Sequence, residues 1–170
     1  MADNNKTKNE KSGRKPSRNA RNSAARLYAV QGVYQMLANE QSASSVLEEI
    51  LYKRVYEAID DQEIVKPDGS LLRSIVKGVG DRLEDLSQIV MQSFQKQLTK
   101  QDDGASNRHK QPEGLLFAVL LCGAYELMAH HEIDAPVIIS DYLNVGHAYF
   151  DRGETKLING VLDYLAKTLR

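Results

Sequence analysis

The 170-residue chain predicts an all-α fold: a compact bundle of six or seven helices behind a basic, disordered N-terminal arm. Three observations carry that expectation. Apolar residues recur at helical spacing in segment after segment. No stretch shows the period-two alternation of a half-buried strand. The run from Leu115 to Tyr125 is apolar all round, as a central helix enclosed by others must be.

Asn, Lys, Ser, Gly and Pro dominate residues 1–17, which have nothing to bury and are expected to be disordered in isolation. Residues 18–170 then form one all-helical domain. Leu27, Val30, Tyr34 and Leu37 follow one another at spacings of 3, 4 and 3, one face of a first helix. Asn39 to Ser44 breaks it, and Ser45 with Glu48 reads as a capping box ahead of Leu47, Ile50, Leu51 and Val55. Lys66-Pro67-Asp68-Gly69 is a turn, with Asp68 or Ser70 as the cap of the next helix. That helix carries Leu72, Ile75, Val76 and Val79, with a break or kink expected near Gly78 and Gly80. Leu83, Leu86, Val90, Phe94 and Leu98 continue the spacing, and Thr99 to Glu113 reads as an exposed loop. Asp134-Ala135-Pro136 starts another helix, with Val137, Ile138, Tyr142, Val145 and Tyr149 on its apolar side. Gly153 separates it from a last helix striped by Leu157, Ile158, Val161, Leu162, Leu165 and Leu169.

Composition narrows the function classes. Cys122 is the single cysteine, so no intramolecular disulfide forms. The longest apolar run, Leu115 to Cys122, is far short of the roughly 20 residues that span a bilayer. The polar, basic N-terminus lacks the apolar segment of a signal peptide. A soluble, cytoplasmic protein is therefore expected, with no membrane partner. The overall charge of −1 hides a marked asymmetry. Residues 1–26 carry eight basic and two acidic side chains, a net +6, whereas the other 144 residues hold 14 basic and 21 acidic, a net −7. A basic arm on an acidic body suits a polyanion approached from one end.

Catalytic chemistry is missing. Gly78-Val79-Gly80 lacks the third glycine and the preceding strand of a dinucleotide-binding turn. His130 and His131 are adjacent and point in different directions, whereas a metal-binding helix pair needs i, i+4 spacing; they read as helix-end histidines facing the dipole. Cys122 lies in the most apolar helix and reads as a buried filler. Asp60-Asp61 and Asp102-Asp103 fall in polar surroundings and read as solvated. No enzyme, metal site or cofactor is expected.

The basic arm is more informative. Arg14, Lys15, Arg18, Arg21 and Arg26 run from the tail into the first helix. Arginine forks phosphate oxygens in a bidentate fashion, and each contact releases counterions; a solubilising tail without a specific partner has the same composition. Directly after the arginines come Gln31, Tyr34 and Gln35. Amides that bond base edges and rings that stack on bases are what single-stranded RNA recognition uses. Gln31 and Tyr34 share a helix face, but Leu27 and Val30 share much of it, so Tyr34 serves core packing as readily as stacking.

The segment Ala25-Arg26 through Ala29-Val30-Gln31-Gly32-Val33-Tyr34-Gln35 resembles the opening helix of the NusB transcription antitermination family. Further blocks resemble that family in order: Leu72 to Val79; Gly123-Ala124-Tyr125-Glu126-Leu127; Ile133 to Val137 with Ile139-Ser140-Asp141; and Ile158-Asn159-Gly160-Val161-Leu162-Asp163. The resemblance spans roughly Arg18 to Lys167. It implies an all-helical, non-enzymatic protein that binds boxA RNA of ribosomal RNA operons together with NusE, a ribosomal protein, and acts on the elongating RNA polymerase. It implies RNA contacts from the arginine-rich arm, the first helix and the start of the last helix. Arg26, Gln31 and Tyr34 match in the first helix, Lys156 precedes the Asn-Gly block, and Arg18 and Arg21 match the arm in character.

The chain departs from the family pattern at Leu157, where an aromatic is frequent, and at Leu116 and Leu121, where an acidic residue and an arginine are common. Ser140-Asp141 stands in place of an Asn-Glu pair. These departures keep a second reading open, a helical protein–protein adaptor of the same fold without boxA specificity. A third, the RNA-binding domain found ahead of ribosomal RNA cytosine methyltransferases, needs a catalytic domain that this sequence lacks.

Overall fold

The computed structural model describes residues 15–54, 65–101 and 111–170. Arg14, Val55, Asp60-Asp61 and Asp102-Asp103 lie outside the described residues. Seven α-helices are found among those described: α1 (Arg18–Asn39), α2 (Ala43–Glu49), α3 (Gly69–Asp81), α4 (Leu83–Gln101), α5 (Gly114–Ala129), α6 (Ala135–Tyr149) and α7 (Arg152–Leu169). A single π-helical turn, Ile50–Arg54, continues α2.

The apolar periodicity places the core as expected. Helix α5 is central and touches α1, α3, α4, α6 and α7. Its Val119, Leu120, Leu121 and Cys122 are fully buried, as are Leu72, Ile75, Val76 and Val79 of α3 and Ile158, Val161, Leu162 and Leu165 of α7. Leu116, Leu121 and Leu157, the leucines among the departures from the family pattern, all face this core.

Helix boundaries follow the caps, and here several expectations change. Ser17 caps α1 by accepting from Ala20 N–H at 3.2 Å. The cap of α2 is Ser42, which accepts from Ser45 N–H at 3.2 Å; Ser45 therefore sits inside the first turn instead of starting the helix. Asp68, the first of the two candidates, caps α3 through Leu71 N–H at 2.9 Å. Gly78 and Gly80 do not break that helix. It runs to Asp81, and the chain turns at Arg82 (φ −122°, ψ 24°). Helix α4 extends to Gln101, three residues into the expected loop, and residues 111–113 lead into α5 without helical structure. Asp134 is the N-cap residue of α6, although its side chain makes no capping bond. The separator before α7 is Phe150-Asp151, not Gly153. Asp151 accepts from Gly153 and Glu154 N–H, while Glu154 accepts in return from Asp151 N–H, a complete capping box that puts Gly153 inside the helix.

The carboxyl end of α5 is closed by a cation other than the expected histidines. Arg170 donates to the carbonyls of Leu127, His130 and Ile133 at 2.6–2.9 Å, which meets acceptors that a helix end leaves open. The His130 ring instead shares hydrogen bonds with Ser74 and Glu132, both at 2.9 Å.

Gly78 is small for a packing reason. A Cβ built there would lie 1.9 Å from the Tyr125 ring, so α3 and α5 approach only because the position is empty. Gly78→Ala should push the ring out and cost about 1–3 kcal/mol. The measurement is urea unfolding: a lower midpoint with unchanged slope is expected, and an unchanged midpoint would contradict the packing argument.

Candidate nucleic-acid interface

Helix α1 carries most of the sequence-derived candidates, and the structure sorts them into three places. The first is internal. Arg26 is only 2% exposed. Its Nε donates to Glu126 Oε1 and Oε2 at 3.1 and 2.9 Å, its Nη2 to Glu126 Oε1, and its Nη1 to Asp141 Oδ2. Tyr142 Oη adds a bond to Glu126 Oε2 at 2.8 Å, and Ser23 Oγ one to Asp141 Oδ2 at 3.0 Å. Burial alone lowers the Arg26 pKa, but the hydrogen bond and charge of Glu126 outweigh it and the net shift is upward. Arg26 is thus corrected from a phosphate contact to the ionic tie between α1, α5 and α6. Its fork is filled by protein carboxylates and does not reach the surface.

The second place is a groove of about 620 Å³ beside the carboxyl half of α1. Gln31 and Tyr34 both line it, joined by Gln35, by Leu115 of α5 and by Tyr149 at the end of α6. Tyr34 and Tyr149 are each 43% exposed. Gln31 Nε2 donates to Tyr149 Oη at 3.0 Å, which ties α1 to the corner between α6 and α7. The Tyr149 ring is also braced by Phe150, with centroids 6.4 Å apart. A Cβ on Gly114 would come within 3.2 Å of the Tyr34 ring, so that ring rests on the start of α5. Two tyrosine rings with fixed edges and open surface, above the aliphatic Leu115, can accept the faces of unpaired bases.

Sequence reasoning missed Tyr149. Its place in the period of α6 reads as more apolar stripe, and only the fold brings it beside Gln31. The signal present in the sequence was the aromatic pair Tyr149-Phe150 at a helix end.

The third place is the amino end of α1. Arg18 lines a smaller depression with Asp68, Ser74, His130 and Glu132. Arg21 pairs with Asp68 at 3.4 Å while its side chain stays 45% exposed. Lys15 is exposed ahead of the helix, and Lys156 is exposed in the second turn of α7. Arg18 and Tyr34 are separated by about 24 Å along α1 at the helical rise per residue. The structure thus brings Gln31 and Tyr34 together and holds Arg18 and Arg21 apart from them at the other end. Among the described residues, no group of three or more His, Cys, Asp or Glu side chains could hold a metal ion, and no helix is long and apolar enough to cross a membrane.

A model of the NusB family matches residues 23–167. The chain belongs to the NusB family. The transcription antitermination protein NusB of Rhizobium rhizogenes is 34% identical over 147 residues, covering 86% of each chain. Its counterpart from Novosphingobium aromaticivorans is 32% identical over 149 residues, covering 86% of this chain and 93% of the relative. A solved structure of T. maritima NusB shares the fold, with a TM-score of 0.61 and 23% identity over 86% of this chain and 90% of that one. The family is one of transcription antitermination factors and not of enzymes.

The buried tie gives several NusB-like sequence blocks a common physical basis. Arg26 belongs to the opening block, Glu126 to the central Tyr-Glu-Leu and Asp141 to the Ser140-Asp141 pair. Asp141 supplies a carboxylate where the family often has glutamate, and it still reaches the guanidinium.

Near this tie, burial first and the Glu126 carboxylate second push up the pKa values of the Cys122 thiol and the Tyr142 phenol, whose ordinary values are 9.0 and 10.0. The unfolded chain loses these protons at the ordinary values while the folded chain keeps them, so the folded state binds more protons above about pH 9. Stability from this source is whole below pH 9 and falls as pH rises through that range. Urea midpoints should therefore decline from about pH 9 upward, and Cys122→Ala should delay the onset towards pH 10. An identical onset in both proteins would contradict the assignment to Cys122.

Proposed function

We propose that the chain is an RNA-binding transcription antitermination factor that holds boxA RNA of ribosomal RNA operons, together with the ribosomal protein NusE, on the elongating RNA polymerase. The observation that carries this reading is the groove lined by Tyr34, Gln31 and Tyr149, two partly exposed rings with the Gln31 amide bonded to one of them. Family membership supports the same role. Stacking on Tyr34 and Tyr149 would hold bases, while Lys15, Arg18, Arg21 and Lys156 hold phosphates from either side. Arg14 belongs to the same basic arm in sequence. The acidic body, net −7 beyond residue 26, suits a basic ribosomal protein as second partner.

Residues 1–17 act as a basic arm on the helical domain 18–170, adding phosphate contacts. The exposed cations contribute sequence-independent affinity, and the groove contributes selectivity. Cytoplasmic location follows from that role.

The test is titration against boxA and scrambled RNA, with and without NusE, at several salt concentrations. A preference for boxA that grows with NusE is expected. Replacing Arg18 or Lys156 by alanine should weaken both RNAs alike and reduce the salt slope by about one each, whereas Tyr34→Ala should reduce the preference. Binding that is blind to sequence and to NusE would overturn the proposal in favour of a protein–protein adaptor.

A further inference from the structure

The groove contains one group that a simple phosphate-binding surface would exclude. Glu49, the last residue of α2, lines it alongside Tyr34, Gln35 and Tyr149. A carboxylate there repels the phosphates of any strand that enters, so it lowers non-specific affinity. It is also held in place. Gln35 Nε2 donates to Glu49 Oε2 at 2.7 Å and to Gln41 Oε1 at 2.8 Å, which occupies both amide protons of Gln35 and fixes the half-buried carboxylate at the groove wall. At this point the wall presents the carboxylate oxygens of Glu49 to a ligand, because the amide protons of the adjacent Gln35 are already engaged within the protein. A carboxylate oxygen retains acceptor capacity beyond a single bond.

Resting on the RNA-binding reading, we propose that Glu49 is a specificity-determining residue that selects guanine among bases stacked in the groove. The Watson–Crick edge of guanine offers two adjacent donors, N1–H and N2–H, that match the two oxygens of a carboxylate. Cytosine and adenine each offer one amino group beside an acceptor nitrogen whose lone pair opposes the carboxylate. Uracil is the poorest match, with a single N3–H between two carbonyl oxygens. The order of preference is guanine, then cytosine or adenine, then uracil. Gln35 is a positioning residue in this scheme, since it acts through Glu49.

The experiment uses the full chain, alone and with NusE, at low salt. Its probes are single-stranded oligouridine, the same oligomer with one guanosine, and that oligomer with inosine in place of the guanosine. The wild type should bind the guanosine oligomer about tenfold more tightly than oligouridine, within the range of a good base-edge contact. Inosine lacks the N2 amino group and should lose several-fold of that preference. Glu49→Gln keeps an oxygen for Gln35 and removes the charge. It should bind oligouridine as well as or better than wild type and show no more than about twofold preference for guanosine. The inosine comparison needs no variant, so it stands even if Glu49→Gln folds poorly. Inosine equal to guanosine, or a folded Glu49→Gln protein with the wild-type preference, would overturn the role of Glu49 and leave the RNA-binding reading intact. Failure of the wild type to bind any of these RNAs in either condition would overturn that reading and this inference together.

Discussion

One cation buried between three helices sets the terms for the rest of the molecule. Arg26 comes from α1, Glu126 from α5 and Asp141 from α6, and the hydroxyls of Tyr142 and Ser23 supply further donors to the two carboxylates. Taking these charges out of water is expensive, and the cluster is tolerable because its principal donors meet acceptors within it. Removing one partner of such a group typically costs about 3–5 kcal/mol, because the remaining charge stays buried without its counterpart. An apolar contact would let helices slide by a fraction of a turn. The bidentate fork of Arg26 on Glu126 holds α1 and α5 in one register.

The groove depends on that register. Tyr34 lies about two turns of α1 beyond Arg26, and its ring rests against Gly114 at the amino end of α5. Tyr149 ends the helix that carries Asp141, and it meets Gln31 of α1. Rigid tyrosines present stacking surface with little rotamer entropy to lose, so a scaffold that fixes their helices raises affinity without adding contacts. The Asp151 capping box at the start of α7 then stiffens the corner that follows Tyr149. The phosphate contacts proposed for Lys15, Arg18 and Lys156 need no such precision, and these side chains lie exposed.

Much of this fold was legible in the sequence because helix interiors advertise themselves. The 3–4 spacing of Leu72, Ile75, Val76 and Val79 has one physical meaning, and the all-apolar run of α5 has another. Boundaries were less legible. Ser45 with Glu48 fits the capping-box pattern and Ser42, followed three residues on by Ser45, does not, yet backbone geometry puts the cap at Ser42. Gly78 reads as a helix breaker from propensity alone, whereas its real constraint is the Tyr125 ring from another helix. The site was half legible for the same reason. Gln31 and Tyr34 lie on one turn of one helix, but Tyr149 and Glu49 join them through tertiary packing that no local pattern encodes. Arg26 misled because a basic residue after a basic arm looks like part of it; Glu126 and Asp141, a hundred residues or more away, turn it inward.

Two groups on one helix thus part company: a buried arginine that holds the frame and an open tyrosine proposed to meet the RNA. Side-chain NMR during titration with boxA RNA and NusE measures that separation directly. The predicted result is that ring resonances of Tyr34 and Tyr149 shift on RNA addition, while the Arg26 Nε–H signal stays in place and remains protected from solvent exchange. Movement of the Arg26 signal with silent tyrosine rings would contradict the account, because the guanidinium would then belong to the RNA surface and the groove would not.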